Sequence, residues 1–232
     1  MQKEYKHIFF DLDHTLWDFE KNSEETLVHL YHHYKLKDFG VTHPDIFIEK
    51  YRAINAQLWH LYNRREITKD VLRVKRFEDA FIQLGVSPQD VPDGIWQLYL
   101  ELCPTKTNLF PHTLEVLEYL SQKYTLSILT NGFEETQHRK INNSGIAKYF
   151  THLLTSENYG YAKPDPRIFE QLLQMNNAVA PQTIMIGDNI DADIKGAMAS
   201  NIDSVFFNPE KIPHQHTVER EIHQLIELKE FL

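Results

Sequence analysis

The sequence predicts an α/β fold, a parallel sheet flanked by helices and carrying an inserted all-helical domain. Two observations predict it. Short apolar, β-rich runs recur at 5–10, 124–129, 150–154, 183–186 and 204–207, with amphipathic stretches between the later ones. Between 17 and about 108 the pattern changes to long helical periodicity without a convincing strand. A strand, helix, strand order builds parallel sheets, because each parallel crossover needs a connection about the size of a helix.

Taken in order, 5–10 is the first strand. The inserted segment shows three stripes: Leu27, Leu30, Tyr31 and Tyr34; Phe47, Tyr51, Ile54, Leu58 and Leu61; Val74, Phe77, Phe81 and Leu84. Gly and Pro punctuate it at 40–44, 85–88, 92–94, Pro104 and Pro111. A helix is expected over 113–123 with Leu114, Leu117 and Leu120 on one face, and another over 167–175 with Ile168, Leu172 and Met175. The segment 218–232, with Ile222, Leu225, Ile226 and Leu228, reads as a final packing helix. The expected domains are 1–16 with 109–232, and the insertion 17–108.

A chain of 232 residues with 42% hydrophobic content can bury one large core and a smaller companion. A net charge of −9 argues against a polymeric nucleic acid as partner, since backbone binding needs clustered Lys and Arg. No apolar run approaches the roughly 20 residues of a membrane span, and Lys3, Glu4 and Lys6 do not make a signal peptide. A cytoplasmic protein, monomeric or weakly self-associating, is expected. The single cysteine, Cys103, excludes an internal disulfide and a Cys-x-x-Cys site. There is no Gly-Lys dipeptide and no Gly-x-Gly-x-x-Gly, hence no P-loop and no usual dinucleotide fingerprint. His32-His33 and His214-x-His216 lack the partners of a known metal-ligand type.

In open parallel sheets ligands gather beyond the carboxyl ends of the strands, which here are Asp11, Thr130, Ser156 and Asp188. Asp11-Leu12-Asp13-His14-Thr15 sets two carboxylates one residue apart, which strand alternation aims to one side. Thr130-Asn131-Gly132 offers a hydroxyl, an amide and a turn towards a helix N-terminus, a phosphate cradle or simply a helix cap. Lys163, in Ala162-Lys163-Pro164-Asp165, lies in a Pro-held loop and could neutralise a phosphate and an attacking carboxylate, or simply be solvated. Gly187-Asp188 with Asp193 adds hard oxygen ligands of the kind that suit Mg²⁺. A calcium loop fails on spacing, with Lys195 at the fifth position and Ile202 at the twelfth counted from Asp191.

These four fragments, in this order at strand ends, resemble the haloacid dehalogenase superfamily, specifically its phosphatases with a helical cap inserted after the first motif. The resemblance covers essentially the whole chain and implies a Rossmann-like core with the insertion as cap. It implies Asp11 as nucleophile, Asp13 as general acid and base, Thr130, Asn131 and Lys163 as substrate binders, and Mg²⁺ held by Asp11, Asp188 and the backbone carbonyl of Asp13. Thr15 and Asp193 would support this cluster. His14 is a less usual filler, of which the loop would use only the backbone N–H. Asp13 speaks for phosphate-ester hydrolysis over dehalogenation, because a departing alkoxide needs a proton.

The cap is expected to choose the substrate. Asn55-x-x-Leu58-Trp59-x-x-Tyr62, Glu66-Ile67-Thr68 and Arg76-Phe77, with Phe133 after the Thr-Asn-Gly turn, are similar to bacterial pyrimidine nucleotide 5′-nucleotidases. That implies a small phosphorylated metabolite of the nucleoside 5′-monophosphate class. Trp17, Asn55, Trp59 and Arg76 are the candidate contacts; equally, Trp59 could be cap core and Arg64, Arg65, Arg73 and Arg76 a solvated face. A sugar phosphate, phosphoglycolate or flavin mononucleotide is the alternative substrate, and a phospho-accepting regulatory module the alternative of another class.

Overall fold

The computed structural model describes residues 4–232, so Lys3 of the N-terminal reading lies outside the described residues. The chain divides into two compact units, Met1–Phe19 with Thr107–Leu232, and Glu20–Lys106.

The larger unit is built on a six-stranded sheet in the order β3-β2-β1-β4-β5-β6, all neighbours parallel. The strands are β1 (His7–Phe10), β2 (Thr125–Thr130), β3 (Phe150–Thr155), β4 (Thr183–Gly187), β5 (Asp203–Phe207) and β6 (Glu221–Ile222). Ile8, Phe9 and Phe10 are all buried, as expected of a central strand covered on both faces rather than one. The chain runs outward from β1 to β2 and β3, then crosses back to β4 on the other side. That reversal beside β1 is a topological switch point, where parallel sheets bind ligands. This is a Rossmann-like α/β sheet.

Helices cover it. In one cluster Ile168, Phe169 and Leu172 of the helix Pro166–Met175 pack with Phe9, Leu129, Leu154 and Met185 of the strands. Asp165 caps that helix by accepting from Arg167 N at 3.0 Å, and Pro166 opens it where a missing N–H costs nothing. Two expectations fail. In the helix Thr113–Ser121 the buried face is Thr113, Val116, Leu117 and Leu120, while Leu114 is 51% exposed. The C-terminal segment is no continuous helix: Ile222 pairs with Phe207 in the sheet, and only Leu225–Glu230 forms a 3₁₀ turn, opened by a capping box of Gln224 and Glu227. Its spaced apolar residues serve a short strand and a turn in succession, which periodicity alone does not separate from a helix.

The smaller unit is helical. Its main elements are α1 (Phe19–His33), which begins one residue before the division, α2 (Pro44–Asn63), α3 (Lys69–Gln83) and α4 (Ile95–Leu102). The stripes read from the sequence are buried at Leu27, Leu30 and Tyr31, at Phe47, Tyr51, Ile54 and Leu58, and at Phe77 and Phe81. Phe47 against Phe81 at 5.4 Å and Tyr51 against Phe77 at 5.0 Å set α2 and α3 side by side in opposite directions. Tyr34, Leu61, Val74 and Leu84 are only half-buried at the ends of their stripes.

Candidate active site

The larger unit gathers its chemistry at the carboxyl ends of β1, β2 and β4. Asp11 follows β1 directly and continues the ladder, its N–H donating to Ile186 O at 2.9 Å. The strand then stops. Leu16 N and Trp17 N both return to Leu12 O, at 3.0 and 2.9 Å, and His14 N donates to Trp17 O at 3.0 Å. His14 occupies the left-handed region at φ 64°, which few residues other than Gly adopt, His being with Asn and Asp among those that do so more readily. Its N–H is therefore committed to the turn and is not a free donor.

Two separate ion-pair systems follow. Lys163 Nζ lies 2.5 Å from Asp11 Oδ1 and 2.6 Å from Asp193 Oδ1. Asp193 also accepts from Asn189 N at 3.0 Å, and Thr15 donates to Asp188 Oδ1 at 3.1 Å. Carboxylate oxygens of Asp11, Asp188 and Asp193 all lie within 4.8 Å of one another. Gly187 makes room for this: a methyl there would overlap the Asp193 side chain. Asn189 opens the π-helical turn Ile190–Ile194 by accepting from Asp191 N and Ala192 N at 3.1 and 2.9 Å, which fixes where Asp193 projects.

Electrostatics points to a dication here. Burial first, and then the charges of Asp193 and Asp188, push the Asp11 carboxyl well above the ordinary range, with Lys163 opposing. Burial and Asp193 likewise raise Asp188 to about 7. Burial lowers the Lys163 ammonium, but Asp11 and Asp193 outweigh it and hold its proton more tightly than usual. Three clustered carboxylates with one ammonium leave a formal excess of two negative charges, and the donor set is all hard oxygen. Those residues fit Mg²⁺.

Asp13 belongs to the second system. Lys140 Nζ approaches its Oδ1 at 2.6 Å and its Oδ2 at 2.8 Å, and Gln137 Nε2 donates to Oδ2 at 2.8 Å. The same Gln137 nitrogen donates to Thr130 Oγ1 at 2.7 Å. Both residues come from the helix Glu134–Asn143, whose buried positions include Gln137, Lys140 and Ile141. Sequence reasoning missed them. The available signal was a helix following Thr130-Asn131-Gly132 whose inward i, i+3 pair is polar rather than apolar. Gly132 is needed beside it, since a methyl there would run into the Gln137 amide.

Several expected roles change. The Asp13 side chain does not join the carboxylate cluster, because the strand ends at Phe10 and alternation no longer orients it. Asn131 turns its amide to the main chain of Lys163, accepting from its N–H at 2.8 Å and donating to its carbonyl at 3.0 Å, so it positions the lysine. In the expected cradle, Gly132 N donates to Thr130 Oγ1 at 3.1 Å and Glu134 N to Glu157 Oε2 at 3.0 Å. What Thr130 offers is its hydroxyl proton. Ser156 lies outside the cluster, donating to Asn131 O at 3.2 Å.

Trp17, expected as a cap residue in contact with the substrate, is fully buried in the larger unit, bridged to Asp13 and Leu109, with the Lys140 ammonium 4.4 Å from its ring. In the helical unit, Trp59 is half-buried and packs edge-on to Tyr62 at 5.5 Å. Arg76 is not on a solvated face. It is 3% exposed, its guanidinium 4.7 Å from the Tyr99 ring centroid, with Nε and Nη2 unpartnered. Asn55 is buried with its Oδ1 unpartnered.

A parallel sheet with a lysine-paired aspartate at its switch point, a hard-oxygen cluster and a second, separately held aspartate is the architecture of an α/β phosphatase. The model of the haloacid dehalogenase-like hydrolase family matches residues 8–207, and the chain belongs to that family. It is 29% identical over 228 residues to pyrimidine 5′-nucleotidase YjjG of Escherichia coli (strain K12), covering 95% of this chain and 96% of that one. To pyrimidine 5′-nucleotidase PynA of Streptococcus pneumoniae it is 29% identical over 232 residues, with 98% and 94% covered. The magnesium-bound crystal structure of Bacillus subtilis YfnB superposes with a TM-score of 0.86 at 27% identity, over 98% of each chain.

Proposed function

We propose that this protein is a Mg²⁺-dependent nucleoside 5′-monophosphate phosphatase that works through an aspartyl phosphate on Asp11. The observation that carries the phosphatase chemistry is the second carboxylate, Asp13, held by its own ammonium beside the Thr130 hydroxyl. Release of a halide needs no such acid, whereas release of an alkoxide does.

Asp11 attacks phosphorus, and the ester P–O bond breaks as Asp13 gives its proton to the departing oxygen. Asp13 then takes a proton from water, whose oxygen bonds to phosphorus and frees Asp11 and inorganic phosphate. Lys163 neutralises Asp11, Thr130 donates to a phosphate oxygen, and Asn131 holds the lysine backbone still. Asp11 and Asp188, with the backbone carbonyl of Asp13, would hold Mg²⁺, and Asp193 and Thr15 orient them. When bound, that ion supplies positive charge to the phosphate oxygens. Choice of leaving group is assigned to Arg76 and Asn55 of the helical unit, where Arg76 Nε and Nη2 and Asn55 Oδ1 are buried without a hydrogen-bond partner among the described residues. A nucleotide is favoured by the similarity to YjjG and PynA over nearly the full length.

A panel of phosphate monoesters assayed with Mg²⁺ tests this. Pyrimidine nucleoside monophosphates are expected to have the highest kcat/KM, and Asp11→Asn to abolish all turnover. Faster turnover of sugar phosphates, phosphoglycolate or flavin mononucleotide would overturn the substrate; an active Asp11→Asn would overturn the mechanism. Stable labelling by acetyl phosphate without phosphate release would instead mark a regulatory module.

A further inference from the structure

We propose that Lys140 and Gln137 are positioning residues that assign the proton transfer of Asp13 to its Oδ1 atom, an inference that rests on Asp13 being the acid and base of the reaction. A count of hydrogen-bonding positions carries it. A carboxylate oxygen accepts about two hydrogen bonds. Asp13 Oδ2 has two donors, Lys140 Nζ and Gln137 Nε2, both at 2.8 Å. Oδ1 has one, Lys140 Nζ at 2.6 Å. The remaining position on Oδ1 is therefore the one open to a leaving-group oxygen or a water.

The same count orients Thr130. Its Oγ1 accepts from Gln137 Nε2 at 2.7 Å and from Gly132 N at 3.1 Å, which fills both lone pairs. Its own proton can then only be donated, as a phosphate oxygen requires. One amide group sets both: the two protons of Gln137 Nε2 go to the general acid and to the phosphate-binding hydroxyl. With Asp13 ionised the amide cannot be turned round, because a carboxylate has no proton to give its oxygen, and with the proton on Oδ1 the Oδ2 atom is still an acceptor.

Neither residue is arranged as a structural filler would be. Gln137 Oε1 is buried without a partner among the described residues, a cost that an apolar side chain would avoid. Lys140 is 4% exposed and spends its charge on Asp13 and on the Trp17 ring at 4.4 Å, so it does not bind phosphate itself. In the first half-reaction the proton leaves Oδ1 for the ester oxygen as the P–O bond breaks. In the second, a water proton arrives on Oδ1 as that water's oxygen bonds to phosphorus.

The test is the leaving-group dependence of kcat/KM across phosphate monoesters from p-nitrophenyl phosphate to simple alkyl phosphates, with Mg²⁺ present. Asp13→Asn is expected to lose about 10²–10⁴-fold on alkyl esters and far less on the activated aryl ester, which needs little protonation. Lys140→Met and Gln137→Leu are expected to steepen the dependence in the same sense. In the Asp13→Asn background neither should steepen the dependence further: Lys140→Met should add less than about threefold, because residues acting through one another are not additive, and Gln137→Leu only the loss, equal on every ester, that follows from Thr130. Lys140→Arg should restore part of the alkyl-ester rate. Gln137→Leu changes no charge and carries the test if Lys140→Met does not fold. A loss in the single variants that is equal on every ester, or a further steepening of the dependence in the double variants, would overturn the proposal and leave Asp13 as acid intact. An unchanged dependence in Asp13→Asn itself would remove the role of Asp13 and this inference with it.

Discussion

Gly187→Ala is expected to damage the site from behind. β4 ends at Gly187, in register with Phe206 of β5, so the backbone there is held by the sheet. The added methyl overlaps Cβ, Cγ and Oδ2 of Asp193. Since Cβ is among these atoms, rotating the carboxylate does not relieve the clash, and the π-helical turn that carries it has to move. Lys163 then loses the partner it holds at 2.6 Å. Overpacking costs about 1–3 kcal/mol, and depriving a buried ion pair of one partner about 3–5 kcal/mol. The same displacement relieves the first and incurs the second, so a loss of about 3–5 kcal/mol is expected, out of a total stability of roughly 5–15. For a chain of this length that lowers Tm by roughly 10 °C. Thermal unfolding and phosphate release measured on one preparation would show both the lower Tm and a reduced kcat. Asp193→Asn, which adds no atom, separates lost charge from lost space. A Gly187→Ala protein with Tm within about 2 °C of the parent and full turnover would refute the reasoning.

Two further outcomes are expected. Asn131→Ala removes both bonds that clasp the Lys163 main chain, at 2.8 and 3.0 Å, for a loss of about 1–3 kcal/mol; kcat should fall more than KM rises, and the reverse split would make Asn131 a substrate binder. The stability gained from Mg²⁺ should depend on pH. Asp188 is raised from 3.8 to about 7, so without the ion the folded state favours the protonated acid, and stability is lost as the pH climbs through that window. A dication that needs the carboxylate removes this penalty, so the Mg²⁺-induced rise in Tm should be larger at pH 8 than at pH 5.5. A rise that is equal or smaller at pH 8 would count against Asp188 as a ligand.

The sheet was legible because its strands are buried on both faces and read as short apolar runs, and the acids at their ends stand in local motifs. What periodicity could not supply was the end of a strand. Once β1 stops at Phe10, the two-residue spacing of Asp11 and Asp13 no longer means a shared direction, and the partners of Asp13 lie more than a hundred residues away. Trp17 misled for a related reason. An aromatic residue at the start of a helical insertion reads as part of it, but its fate was decided by a bridge to Leu109 at the insertion's far end. Arg76 shows a third limit: composition gives an arginine on α3 a solvated face by default, and only the packing of Tyr51, Phe77 and Tyr99 around it reveals the burial.

In the proposed mechanism the two aspartates have different work, and the fold gives each its own cation. A nucleophile has to stay unprotonated against the pull of neighbouring acids, which for Asp11 are Asp188 and Asp193. An acid and base has to gain and lose a proton in every cycle. Sharing one ammonium between two carboxylates so close in the chain would couple these states, because each gain of charge on one disfavours it on the other. Lys163, held by Asn131 in the loop before Pro166–Met175, serves Asp11 and Asp193; Lys140, on Glu134–Asn143 and against Trp17, serves Asp13. Gln137 then ties Asp13 back to the Thr130 hydroxyl, so in that mechanism the proton and the phosphate are aligned by a neutral group that leaves the division of charge undisturbed.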